Sequence, residues 1–109
     1  MNVLAEQMIT MSNPIENLNK TFDSRVRLGI MSTLMVNDQI NFNDLKQLIG
    51  VTDGNLASHI KALDEIGYLK VNKGFVGKKT NTTYTITKLG ERSFQQHLGA
   101  LEKMIKGMK

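Results

Sequence analysis

The sequence predicts a mostly α fold with one small β-hairpin, an α+β arrangement. Three observations predict it. Residues 43–69, NDLKQLIGVTDGNLASHIKALDEIGYL, read as a short helix, a tight connection and a second helix. Residues 68–76 and 82–87 are two runs rich in β-branched and aromatic residues, separated by the turn-like VGKKTN, which is the signature of paired strands. Finally, Phe94, Leu98, Leu101, Ile105 and Met108 recur at spacings of 4, 3, 4 and 3, the apolar seam of a helix that packs on another helix.

The elements follow in order. Leu4, Met8 and Met11 stand at loose helical spacing and predict an arm helix or a frayed end. Asn13-Pro14 with Glu16 is a helix-start pattern, and Ile15, Leu18 and Phe22 give the stripe of a short helix. Asp23 or Ser24 caps the next helix, SRVRLGIMSTLMVN, which buries Val26, Ile30, Met31 and Leu34. Ile40 and Phe42 alternate with polar residues as a minimal strand. In the helix pair, Leu45, Leu48 and Ile49 form the first stripe, and Gly50 stops it because glycine takes the left-handed conformation without Cβ strain. Thr52 caps the second helix, whose Leu56, Ile60, Leu63 and Ile66 share one buried face. Gly67 ends it. Thr87 caps the last helix, which follows the hairpin with little core left to cover.

One domain is the expectation for 109 residues with 40% apolar and 22% charged content. The absence of cysteine excludes disulfides, thiolate metal sites and thiol redox chemistry. His59 and His97 are too few and too scattered to predict a metal site, so no metal and no cofactor is expected. His97 is expected at the solvent-exposed flank of the last helix. The first residues, MNVLAEQMITM, carry no signal-peptide pattern, and no run approaches the roughly 18 apolar residues of a membrane span, so a cytoplasmic protein without membrane contact is expected.

The net charge of +4 is concentrated in one place. Between Ile66 and Gly90 stand five cations, Lys70, Lys73, Lys78, Lys79 and Lys88, and no acid; the remaining nine cations face ten acids. Such a block attracts phosphate backbones or anionic surfaces. Opposite the apolar face of the second helix lie Gly54, Asn55, Ser58, Lys61 and Ala62, with His59 at the border. A helix that is slim and polar on its outside fits a DNA major groove, where base edges present donors and acceptors. Asp53 opposes this reading as a carboxylate, although at a helix N-terminus it suits the dipole.

These residues resemble the winged helix-turn-helix transcription regulators, specifically small bacterial and archaeal regulators similar to the MarR and ArsR families. The resemblance rests on Arg25-Val26-Arg27-Leu28-Gly29-Ile30, on the block Asn55 to Leu69, and on Tyr84-Thr85-Ile86-Thr87-Lys88-Leu89-Gly90, three segments in order across residues 23–92. It implies three helices, a two-stranded wing and a C-terminal dimerisation helix, with the second helix of the pair in the major groove and the wing on the backbone or minor groove. Metal sensing is not carried over, because the cysteine ligands are missing. The chain is also short for the ligand pocket of longer MarR proteins.

The expectation is therefore a homodimeric, sequence-specific regulator of double-stranded DNA. Residues 1–22 form an arm, 23–88 the DNA-binding domain and 89–109 the dimerisation helix. DNA contacts are assigned to Thr52, Asn55, Ser58, His59, Lys61, Lys70, Lys73, Lys78, Lys79 and Thr80, with Arg25 or Arg27 as further phosphate partners; the dimer seam is Phe94, Leu98, Leu101, Ile105 and Met108. Lys70 and Lys73 share a strand, so only a residue on its DNA-facing side can serve. Two other readings fit the same residues: a winged-helix protein-interaction module, and a non-specific DNA-binding part of a larger assembly. An enzyme is not expected. Gly77-Lys78-Lys79-Thr80 fails as a phosphate-binding loop, since Asn72 stands where its first glycine is required and Lys79 where its Ser or Thr is required. Asp64 and Glu65 diverge around the helix, and no nucleophile is paired with an oriented base.

Overall fold

The computed structural model describes residues 13–107. The proposed arm helix at Leu4, Met8 and Met11, and Met108 of the seam, lie outside them. Among the described residues, a 3-10 turn, Lys20–Phe22, is followed by four helices and a three-stranded antiparallel sheet. Helix α1 is Arg25–Val36, β1 Ile40–Asn41, α2 Phe42–Ile49, α3 Asp53–Ile66, β2 Leu69–Val76, β3 Lys79–Ile86 and α4 Lys88–Gly107.

Ser24 and Thr52 cap helices as expected, and Asn41 caps one where a strand is expected. Ser24, Asn41 and Thr52 each accept a backbone N–H three residues on, at 3.2, 2.8 and 3.1 Å, and so satisfy one otherwise orphaned donor of α1, α2 and α3. Gly50 and Gly67 end α2 and α3 at φ 73° and 89°. Phe42 opens α2 rather than extending β1, because the Asn41 carboxamide caps a helix at that point.

Helix expectations fail at residues 13–22. There the Asn13 carboxamide accepts the Ile15 N–H at 3.0 Å and Asn19 accepts the Thr21 N–H at 3.0 Å. Asparagine side chains that bond nearby backbone favour turns over helix, and two of them break this segment into turns and the 3-10 step. Phe22 is nevertheless buried, at the end of the turn.

The core gathers Ile30, Met31 and Leu34 of α1, Leu45 of α2, Leu56, Ile60 and Leu63 of α3, and Tyr68, Leu69 and Tyr84 from the base of the sheet. Fully burying a leucine contributes about 1.5–3 kcal/mol, so the α3 face anchors that helix firmly. Two expected core residues lie at its margin: Leu48 is 66% exposed and Ile66 41% exposed, each one position beyond the arc that its helix buries.

In the sheet, order β1-β3-β2, Ile40 pairs with Tyr84 while Leu69, Val71, Lys73 and Phe75 pair with Ile86, Tyr84, Thr82 and Thr80. β3 begins at Lys79, earlier than the expected Thr82, since the turn needs only Gly77 and Lys78. Gly77 has φ 64° and Lys78 does not share the positive φ, the pattern of a type II′ hairpin turn.

α4 starts against the end of α3. The Thr87 hydroxyl donates to the Gly67 carbonyl at 2.6 Å and accepts the Gly90 N–H at 2.9 Å. A Cβ on Gly90 would stand 2.0 Å from the Tyr68 carbonyl oxygen, so only glycine fits there. The first half of α4 then completes the core. Phe94 lies edge-on to Phe22 at 5.3 Å between centroids, and His97, 4% exposed, sits 5.1 Å from the same ring. This corrects two expectations. Phe94 belongs to the protomer's own core rather than to a partner-facing seam, and His97 is buried rather than solvated, its Nδ1 accepting the Asn19 N–H at 3.0 Å. The segment 13–22, turning back over the domain, supplies the apolar surface that α4 covers.

Candidate nucleic-acid interface

α3 presents the face that could meet a duplex. Because Leu56, Ile60 and Leu63 point inward, Asp53, Gly54, Asn55, Ala57, Ser58 and Lys61 are all exposed on the other side. The Asn55 backbone N–H is satisfied by the Thr52 cap, and the Asn55 side chain is exposed on this face. Asp53, the carboxylate that opposes anion binding, pairs with Lys46 of α2 at 2.6 Å. An exposed pair of this kind contributes only about 0–1 kcal/mol to stability, but it cancels a negative charge at the helix N-terminus. Sequence reasoning missed Lys46, because its contact with Asp53 joins two helices across the Gly50 turn and depends on how they are placed.

His59 is half-buried at the edge of this face. Its Nδ1 accepts the Arg27 Nε–H at 3.0 Å, and Arg27 also donates from its guanidinium to the Thr21 carbonyl at 3.4 Å. Burial, and then the adjacent Arg27 charge, hold the His59 pKa below its ordinary value of 6.5. With Nδ1 engaged as acceptor, the neutral ring carries its proton on Nε2 and presents a donor. Arg27 thus ties α1, α3 and the turn before α1 together.

The hairpin projects beyond the core. Residues 73–80, at the distal ends of both strands, are all exposed. Strand alternation puts Lys73, Phe75, Thr80 and Thr82 on one face, continuous with Leu69 and Val71, and Lys70, Asn72, Val76 and Lys79 on the other. Lys70 and Lys73 therefore look in opposite directions, while Lys78 sits at the tip. Among the described residues the ion pairs are Lys46–Asp53 and Lys106–Glu102, so Lys61, Lys70, Lys73, Lys78 and Lys79 stand without a carboxylate. Of the sequence-assigned contacts, α3 groups Thr52, Asn55, Ser58, His59 and Lys61, and the hairpin groups Lys70, Lys73, Lys78, Lys79 and Thr80 as a second set.

On α4, Leu98 and Ile105 are exposed and Leu101 is half-buried. Among the described residues no three His, Asp or Glu side chains gather to hold a metal, and no helix is long and apolar enough to cross a membrane.

Residues 26–105 match the winged helix DNA-binding domain family. The chain belongs to that family. This winged helix is 32% identical over 89 residues to an uncharacterized protein of Methanocaldococcus jannaschii, covering 82% of this chain and 97% of that one. Its structure superposes on a transcriptional regulator homologue from Pyrococcus horikoshii with a TM-score of 0.72 at 30% identity, over 100% of this chain and 99% of that chain. It shares its fold with a MarR-family transcriptional regulator, so described, from Porphyromonas gingivalis, with a TM-score of 0.63 at 24% identity over 83% and 84% of the two chains. The fold is that of transcriptional regulators, with β2 and β3 forming the wing.

Proposed function

We propose that the protein is a sequence-specific regulator that binds double-stranded DNA as a homodimer, with α3 in the major groove and the wing on the adjacent backbone or minor groove. One observation carries the reading: α3 exposes a slim polar face whose one N-terminal carboxylate is neutralised by Lys46, beside a projecting wing whose lysines have no acidic partner among the described residues. Asn55 and Ser58 then read base edges. Lys61, Lys78, Lys79 and the Thr52 and Thr80 hydroxyls hold the phosphates, as does whichever of Lys70 and Lys73 faces the duplex. Arg27 and His59 approach the backbone as a unit, through the remaining guanidinium donors and the His59 Nε2–H.

The dimer is supported by the outer half of α4, where Leu98, Leu101 and Ile105 remain after Phe94 and His97 have gone inward. A seam on this half leaves residues 23–88, with the first turns of α4, as the DNA-binding unit. Two copies related by a two-fold axis would place two α3 helices about one helical turn apart.

Binding to random-sequence duplex pools, with rounds of enrichment at two salt concentrations, tests this reading. An inverted repeat with half-sites about ten base pairs apart is expected. Binding without enrichment would replace the regulator by a non-specific DNA-binding component, and no binding at either salt by a protein-interaction module.

A further inference from the structure

The wing carries a feature that phosphate contact does not explain. Phe75 is 74% exposed and Val76 67% exposed, immediately before the Gly77-Lys78 turn. Large apolar side chains at a hairpin tip are an aggregation liability unless something covers them. Strand alternation separates the two, so Phe75 shares its face with Lys73 and its cross-strand partner Thr80, while Val76 faces the other way beside Lys79. The aromatic ring thus stands at the end of the domain's acid-free segment, with Lys73 two residues before it and Lys78 three residues after it.

We infer that Phe75 is a minor-groove wedge, which enters beside the wing's phosphate contacts, partly unstacks a base step and bends the duplex toward α3. The inference rests on the DNA-binding reading and deepens it at one residue. A ribbon of two strands about 4.8 Å apart, with side chains on both faces, is wider than a minor groove of about 6 Å. The tip can therefore enter only by opening the groove, and an apolar side chain between base steps is how proteins do so. Lysines alone would hold the wing at the phosphates. An aromatic residue between them has a stacking surface that every base can meet, which favours nucleic acid over an anionic lipid surface as the occupant. Specificity then arises at positions that α3 never touches, because flexible pyrimidine–purine steps open more easily than stiff ones.

The test uses the full chain and the tightest-binding duplex from the random pool, with 2-aminopurine at successive positions flanking each half-site and a donor–acceptor pair at the ends. Binding of the wild type should raise 2-aminopurine fluorescence at one flanking step per half-site and shorten the end-to-end distance. Phe75→Ala should abolish both signals and weaken binding about tenfold or more, as loss of a stacked aromatic does, with the salt slope unchanged. Phe75→Trp should restore the signals, and Val76→Ala should retain them. Phe75 is exposed, so the melting temperature of Phe75→Ala should equal that of the wild type. Wild-type binding with no fluorescence rise, or a rise that survives Phe75→Ala, overturns the wedge while leaving the DNA-binding reading intact. A wild type that binds no duplex overturns both. Phe75-dependent binding to vesicles of anionic lipid, with none to DNA, assigns the tip to a membrane surface and overturns the wedge.

Discussion

Removing the two lysines at the wing turn is the most informative perturbation of the proposed interface. Lys78 and Lys79 are exposed and form no ion pair among the described residues, so Lys78→Ala with Lys79→Ala should leave the fold within about 0.5 kcal/mol of wild type. Its effect belongs to binding. Each phosphate neutralised on a duplex contributes about 0.9 to the slope of log affinity against log salt, and a dimer with two wings loses four such contacts, so the slope should flatten by about 3.6. Between about 50 and 200 mM salt, the wild type should therefore lose about 150-fold more affinity than the variant. Fluorescence anisotropy on any labelled duplex, titrated across salt, reads this directly. The loss should be the same on preferred and random duplexes, because backbone contacts carry no sequence information. Parallel salt lines for the two proteins would show that the wing lysines are merely solvated and would refute the placement of the wing. The same assay separates Lys70 from Lys73. They point to opposite faces, so one alanine substitution should reduce the slope and the other should not.

Other substitutions test the remaining parts. Asn55→Ala with Ser58→Ala should erode discrimination between the enriched duplex and single-base variants by about 1–3 kcal/mol per lost base contact, measured by competition binding; equal losses on every duplex would contradict base readout. Replacing Leu101 and Ile105 by Lys should convert a dimer to a folded monomer in sedimentation equilibrium, since both lie beyond the part of α4 that covers the core, and an unchanged mass would refute the seam. His59 predicts a pH dependence. Its pKa is lower folded than unfolded, so the unfolded chain binds more protons, and stability should fall as pH drops below about 6.5 toward the folded value. His59→Gln should remove that component of the fall in thermal melts taken from neutral to mildly acidic pH, and an unchanged profile would show that Arg27 does not depend on a neutral His59.

Most of the fold was legible because it is written in local signals. The caps Ser24 and Thr52, the left-handed glycines Gly50 and Gly67 and the 3.6-residue stripe of α3 each act over a few residues, and the period-2 pattern of the wing depends only on which way neighbouring side chains point. The errors on α4 fell where distant partners decide. Asn19 and His97 are 78 positions apart, yet they are hydrogen-bonded, and the neighbouring Phe22 packs on Phe94 and His97, which makes the first half of α4 part of the core. This packing divides the apolar stripe of α4, which reads as one seam, into an inner part at Phe94 and an outer part at Leu98, Leu101 and Ile105. At residues 13–22 a helix-start pattern was present, but asparagine side chains claimed the backbone donors first. In the candidate site, the exposed residues of α3 were readable from helical phase. Lys46 on Asp53 and Arg27 on His59 were not, because each pair joins two helices whose relative placement the sequence does not state. Phe75 was read as part of a strand pattern, and only the projection of the wing beyond the core leaves it uncovered.

The central claim is that α3 lies in the major groove at two sites on one duplex. The natural chain has no cysteine, so Ala57→Cys, on the exposed face of α3, gives a single attachment point for an iron chelate that cleaves nearby DNA. Bound to the enriched duplex, the labelled protein should cut in two clusters about one helical turn apart, each centred on a half-site. Cutting spread evenly along the duplex, or a single cluster, would contradict the account.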